Sequence, residues 1–324
     1  MGNKWFRGTV RTLGWLAALT ALLGVGLHIR DVQSRPAVLL ASGAPYLMCA
    51  ALLALALFLV GRSWLSSAGA ALLVAAGAWT QLPAFVADGA QPAGPVLTVL
   101  QTNVLFGGAD ANAVVREVKS NNVDVMTVDE LTAQMVTALR GAGLDEALPH
   151  FYAEPAPWGS GTGIWSRYPL RDTKKYDGFT MHQVSATMAH PQLGDVGVYA
   201  FHPLPPVFGV DTWQSELRRI DDILGAETRP AVVGADFNAT RDHAAFRQLL
   251  RGRFADAADQ AGAGLLRTYP TDKTYKGITG TRLLPPLIGI DYVLVAHGAG
   301  EAVRTVDIPG SDHRAILARL RMAG

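Results

Sequence analysis

The chain has 324 residues, 49% hydrophobic and only 17% charged, with 28 Lys and Arg against 27 Asp and Glu, a net charge of +1. That balance excludes a strongly basic nucleic-acid binder and an acidic-tail protein, and the wealth of core-forming residues excludes intrinsic disorder. One cysteine excludes an intrachain disulfide framework and a Cys-rich zinc site, while the low charge points to a membrane part.

The charge is unevenly spread. Residues 1–89 hold six basic groups (Lys4, Arg7, Arg11, Arg30, Arg35, Arg62) and two acids (Asp31, Asp88), which leaves residues 90–324 with 22 basic and 25 acidic groups, a net of −3. Uncharged apolar stretches at about 12–29, 38–60 and 65–87 approach or exceed the roughly 20 residues a transmembrane helix needs. The basic start also suits a signal peptide, but no small-x-small cleavage site follows, so an uncleaved first span is expected. Residues 1–88 then form a membrane domain of three helices. Lys and Arg in the flanks favour a cytoplasmic N-terminus, with everything beyond residue 88 outside the plasma membrane. Cys49 falls within the second span, so the outer domain carries no thiol, in keeping with an oxidising exterior.

Residues 89–96, rich in Gly, Pro and Ala, read as a linker. From 97 to 324 short strands alternate with helices. Strands are expected at Val96–Thr102, Val123–Val128, Gly163–Ser166, Ser185–Met188, Val196–Phe201, Ala231–Gly234, Ile290–Ala296 and Ala315–Leu320. Helices are expected at Ala111–Asn121, Trp213–Leu224 and His243–Leu250. The turn at Gln192–Asp195 makes a hairpin, so the expected class is α/β, a sandwich with mixed strand directions.

Polar groups gather where these strands end: Asn103, Glu130, His202, Asp236, Asn238, Asp291, Asp312 and His313. Taken singly, Asp236 and Asn238 read as turn or cap residues. A whole set abutting apolar strands does not, because such groups cost stability unless paired or used. Glu130, Asp236 and Asp312 are hard oxygen ligands or bases of the kind magnesium takes, with phosphate completing its shell. The His residues and Asp291 make an imidazole–carboxylate pair conceivable, and no nucleophile elbow or phosphate-binding P-loop occurs.

The blocks Thr102-Asn-Val-Leu-Phe-Gly107, Asp129-Glu130, Gly163-Ile-Trp-Ser-Arg-Tyr-Pro169, Phe201-His202, Ala235-Asp-Phe-Asn-Ala239, Ile290-Asp-Tyr-Val-Leu294 and Ser311-Asp-His-Arg314 resemble, in order, those of the endonuclease/exonuclease/phosphatase superfamily. The resemblance implies a DNase-I-like, four-layered α/β sandwich of two packed sheets. It also implies a Mg2+-dependent phosphatase or pyrophosphatase, with Mn2+ as the alternative ion. Glu130, Asn103 and Asp312 would form the metal site. Asp236 would activate water, Asn238 and His202 would orient phosphate, and His313, paired with Asp291, would contact the scissile phosphate. The sequence departs from the family pattern at Asp129, Ala235 and Gly289, where Gln, Gly and Arg are usual.

Three spans ahead of such a domain also resemble the VanJ-type membrane proteins of actinobacteria. That resemblance implies a lipid pyrophosphate substrate such as undecaprenyl pyrophosphate and a role in teicoplanin resistance. A net −3 domain tethered to a bilayer favours a lipid phosphate over specific nucleic acid. The apolar segments Pro203–Phe208 and Leu283–Ile288 are candidates to meet lipid. The alternative is a membrane-tethered extracellular nuclease or phosphodiesterase. Trp158 and Trp165 are expected as core or interface aromatics, Arg167 and Tyr168 in a structural turn, and the sequence carries no signal for oligomeric state.

Overall fold

The computed structural model describes residues 2–90, 92–271, 274–277, 280–283 and 285–323. Its N-terminal part consists of helices α1 (Gly2–Ile29), α2 (Arg35–Ala41), α3 (Ala44–Met48), α4 (Ala50–Val60) and α5 (Trp64–Gln81). Two stretches, Lys4–Ile29 and Trp64–Ala84, are long and apolar enough to cross a membrane. The expected second span is broken instead, because Arg35–Ala41 meets Ala44–Val60 at 71°. Pro36 and Pro45 each open a new helix there, where a missing N–H costs nothing. Helix α2 turns aside, its Val38 fully buried against the following domain, with His243 Nε2 donating to Val38 O (2.9 Å). Val38 and Ala41 are thus covered by protein while Leu39 and Leu40 stay exposed, and the straight run is 44–60.

Small residues let the helices approach. A Cβ on Gly14 would stand 2.7 Å from the Phe58 ring, and one on Gly24 2.9 Å from Ala44 O. These contacts run 44–60 antiparallel to α1. Gly77 lies against Met48, so α5 turns back again. His28, Met48 and Gln81 therefore share one end of the bundle. Arg11 marks the other, its Nε donating to Gly61 O at 3.0 Å.

The domain that follows contains β1 (Val96–Asn103), α6 (Ala111–Ser120), β2 (Val125–Asp129), α7 (Ala133–Gly141), β3 (His150–Glu154), β4 (Thr162–Ser166), β5 (Leu170–Lys175), β6 (Val184–His190) and β7 (Gly194–Phe201). It continues with α8 (Val210–Gly225), β8 (Ala231–Asp236), α9 (Ala244–Leu249), β9 (Phe254–Asp256), α10 (Ala257–Ala261), β10 (Thr274–Gly277), β11 (Gly280–Leu283), β12 (Asp291–Ala296), β13 (Gly298–Asp307) and β14 (Arg314–Met322). Strands order as β13-β14-β1-β2-β4-β3 in one sheet and β5-β6-β7-β8-β12-β9 in the other. Val99, Ile164, Val198, Val293 and Ile316 meet between the sheets. Val114, Val118 and Leu139 bring α6 and α7 onto the outer face of the first sheet, and Trp213, Ile220 and Phe246 bring α8 and α9 onto that of the second. The α/β two-sheet sandwich is as expected, hairpin β6–β7 included. Of the expected linker, Val96 already belongs to β1, and Asp88 N donates to Gln260 O (3.2 Å).

Register places the site. In the first sheet β1 runs parallel to β2 with Asn103 beside Asp129. In the second, β7 runs parallel to β8 with Phe201 beside Ala235, and β12 runs antiparallel to β8 with Asp291 opposite Asp236. Polar strand ends from both sheets are thereby stacked at one edge of the sandwich.

Candidate active site

The strand-end residues converge in one array of hydrogen bonds and close ionisable contacts. Asn103 is buried, and its Nδ2 donates to Glu130 Oε1 and Asp236 Oδ2, both at 3.1 Å. Its Oδ1 accepts from Leu105 N (2.9 Å), which fixes the amide's orientation. Glu130 Oε2 accepts from Phe106 N (2.9 Å). Glu130 (φ 57°) and Asn238 (φ 50°) both sit in the left-handed region, a costly conformation for residues with a Cβ that tends to cluster at functional sites.

His313 Nδ1 bonds Asp291 Oδ2 at 2.8 Å and stands 3.7 Å from Asp236 Oδ2, while His202 Nε2 lies 3.8 Å from the same Asp236 oxygen. Burial opposes a charge on His313, but Asp291 and Asp236 outweigh it and lift its pKa to about 10. Burial, and then His313, push His202 down to about 4, so it stays neutral at pH 7. Asp236 is lifted to about 8 by burial and the neighbouring Asp291. Burial also raises Glu130. One imidazolium and one imidazole therefore flank a carboxyl group, the separated assignments that acid–base or electrostatic catalysis uses. Asp312 Oδ1 lies 3.8 Å from His313 Nε2, and Asn238 Nδ2 donates to Pro203 O (3.1 Å).

All eight residues singled out in the sequence fall in this array. Supporting residues were not singled out. Gln101 Nε2 bridges Asp129 Oδ2 and Asp291 Oδ1, both at 3.0 Å, and Gln183 clasps the His202 backbone at 2.6 and 2.7 Å. Asp129, noticed only as a departure, is fully buried and accepts from Asp236 N (3.0 Å); burial and then Asp236 raise its pKa well above the usual carboxylate range. A buried polar side chain inside an apolar strand was the available signal.

Arg167 pairs with Asp124 at 3.0 Å, a structural role as expected. Trp165 is in the core, while Trp158 is 89% exposed on a turn with positive φ beside the site. The tip of the Pro203–Phe208 segment, Val207 and Phe208, is exposed, while Pro203 and Pro206 pack inward. In the other apolar segment Leu287 is exposed, and Leu284 lies outside the described residues.

With this geometry in place, the comparisons are specific. The model of the endonuclease/exonuclease/phosphatase family matches residues 100–313, and the chain belongs to that family. Its members are hydrolases, many of them metal-dependent. D. rerio TDP2, solved with a single-strand DNA product, is 14% identical with a TM-score of 0.56, covering 70% of this chain and 99% of that one. An endonuclease/exonuclease/phosphatase from Beutenbergia cavernae is 19% identical with a TM-score of 0.52, covering 71% and 72%. A family protein from Bacteroides thetaiotaomicron is 13% identical, also at 0.52, covering 72% and 100%. Such likenesses show the fold. No curated protein matches the chain significantly.

The donor set fits a divalent cation. Glu130 and Asp312 supply hard oxygens, and Glu130 is raised by burial, a cost a cation would offset. Asp236, Asp291 and His313 also bring ligand atoms within 4.8 Å of one another, though Nδ1 of His313 is already committed to Asp291.

Proposed function

We propose that the protein is a membrane-anchored, metal-dependent hydrolase of a lipid phosphate or pyrophosphate such as undecaprenyl pyrophosphate. One observation carries this reading. The loop bearing Asp236 and Asn238 continues to Asp242, which accepts hydrogen bonds from His28 (2.7 Å) and Gln81 (3.1 Å) at the same end of the apolar bundle. The reaction centre thus lies beside the end of that bundle, where a lipid headgroup would be presented. Three antiparallel passes, 44–60 being the short one, would set the N-terminus and the domain on opposite sides of a plasma membrane. A cytoplasmic N-terminus then gives an outward-facing centre, able to recycle spent cell-wall carrier lipid and so to contribute to teicoplanin resistance.

The chemistry follows from the side chains. Mg2+ or Mn2+, held by Glu130 and Asp312 with Asn103 fixing Glu130, would polarise the phosphoryl group and offset developing charge. Asp236 accepts the proton of a water attacking phosphorus in line, the P–O bond to the leaving phosphate breaks, and no covalent enzyme intermediate forms. His202, neutral, and the second amide N–H of Asn238 donate to equatorial oxygens. His313, cationic on Asp291, directs Nε2–H at the charge that grows in the transition state.

The test is phosphate release from undecaprenyl pyrophosphate by the full-length protein in detergent with magnesium, beside nicking of plasmid DNA, with His313→Ala as the blank. Lipid hydrolysis alone, lost in the variant, supports the reading. Nicked DNA with untouched lipid replaces it with the tethered nuclease or phosphodiesterase, a reading favoured by the fold of the DNA-bound neighbour.

A further inference from the structure

A cavity of about 150 Å3 lies between the helix break and the catalytic domain. Tyr46 and Cys49 border it from the break, and Leu266, Leu287 and Ile288 from the domain. Asp291, the residue that holds His313, borders it as well. Arg267 lies over the Tyr46 ring (5.5 Å) at its border, and the other charged groups around it are engaged elsewhere. Asp242 accepts from His28 and Gln81, Arg241 bonds Asp259 at 2.8 and 3.0 Å, and Asp256 caps α10 by accepting from Ala258 N. What remains toward the space is largely hydrocarbon. A largely apolar space of this size takes a group near the size of benzene, about five to six carbons.

The opening has a direction. Tyr46 is 46% exposed and Cys49 is exposed, both on the bundle surface, while the same residues border the cavity. The 71° bend that carries α2 onto the domain leaves this space between α3 and residues 287–289, which lead into β12. The cavity therefore connects the apolar surface of the helices with a residue of the reaction centre.

We infer that this cavity binds a stretch of about five carbons of the substrate's hydrocarbon chain while its phosphate is at the Asp236–His313 centre. The inference rests on the lipid-phosphate reading and names the feature that selects a chain-bearing ester. Removing each methylene from water favours binding about fourfold, so the filled cavity is worth at least about tenfold in kcat/KM.

Cys49, the only cysteine of the chain, makes the test possible on folded protein. Full-length protein in detergent with magnesium would be given farnesyl pyrophosphate and methyl pyrophosphate, and the ratio of kcat/KM measured before and after alkylation with a bulky maleimide. The expected ratio is at least about tenfold in favour of the farnesyl ester, falling about tenfold on alkylation. In Cys49→Ala the same treatment leaves the ratio where it was. Turnover without chain preference, or a ratio indifferent to alkylation of Cys49, overturns the chain site alone. Hydrolysis of neither ester overturns the lipid-phosphate reading and the chain site with it.

Discussion

The helical bundle and the two-sheet domain hide polar groups in different ways. In the bundle they lie at the ends: Arg11 bonds the Gly61 and Arg62 carbonyls at one, and His28 and Gln81 share Asp242 at the other. In the domain, Gln101, Asn103, Asp129, His202, Asp236, Asp291 and His313 are buried together at one edge of the sandwich. The bundle's polar contacts fasten one part of the chain to another. Those of the domain concentrate charge, at a cost in desolvation that only chemistry or mutual pairing offsets. Breaking the two kinds of contact should have different consequences.

The largest effect is expected at the domain's cluster. Asp236→Asn and His313→Ala should each lower kcat for phosphate release by about 10²–10⁴-fold while the protein remains folded by circular dichroism. Wild-type rates in either variant would reduce the cluster to a structural network. The next effect is on pH. Asp236 rises from 3.8 to about 8 on folding and His313 from 6.5 to about 10, so both hold protons more tightly in the folded state. Their contribution to stability is present at low pH and is lost as pH climbs through those intervals. His202, lowered to about 4, acts in the opposite sense below pH 6.5. Thermal melts in chelator should therefore show stability declining between pH 6.5 and 10, and a rise over that range would show that Asp236 and His313 do not titrate as the array implies.

Smaller effects are expected at the bundle. Asp242→Ala strips the shared acceptor from His28 and Gln81 and should cost about 2 kcal/mol, read as a lower melting temperature. Its kcat on a water-soluble phosphate ester should stay near wild type. A catalytic loss as large as that of His313→Ala would merge the two regions functionally. Arg11→Ala, at the far end, should cost below about 1 kcal/mol by the same melt.

The sequence revealed the domain's centre better than its margins. Strands β1, β2, β8 and β12 were legible because each is buried on both faces and reads as an apolar run. Of the strands not anticipated, β3, β5, β9 and β13 are the four edges of the two sheets, and β10 and β11 pair with each other outside them. An edge such as Leu170–Lys175 is exposed over most of its length and polar, so neither alternation nor a buried run marks it. The strand-end residues of the buried cluster were legible because polar and ionisable types there stand out against apolar runs. Gln101 and Gln183 were not, since Gln101 acts across to the facing sheet and Gln183 across to the neighbouring strand, which one strand cannot reveal. The break at residues 42–43 was missed for a related reason: hydropathy registers that Val38 avoids water, not whether lipid or α8 covers it.

The pairing of β14 with β1 joins the last strand of the domain to its first. His313 immediately precedes β14, while Asn103 closes β1. A nascent chain emerging N-terminus first therefore carries Glu130, His202 and Asp236 long before it can assemble them. The centre is completed only when β14 is added, so a premature stop before that strand would leave His313 without the sheet that positions it.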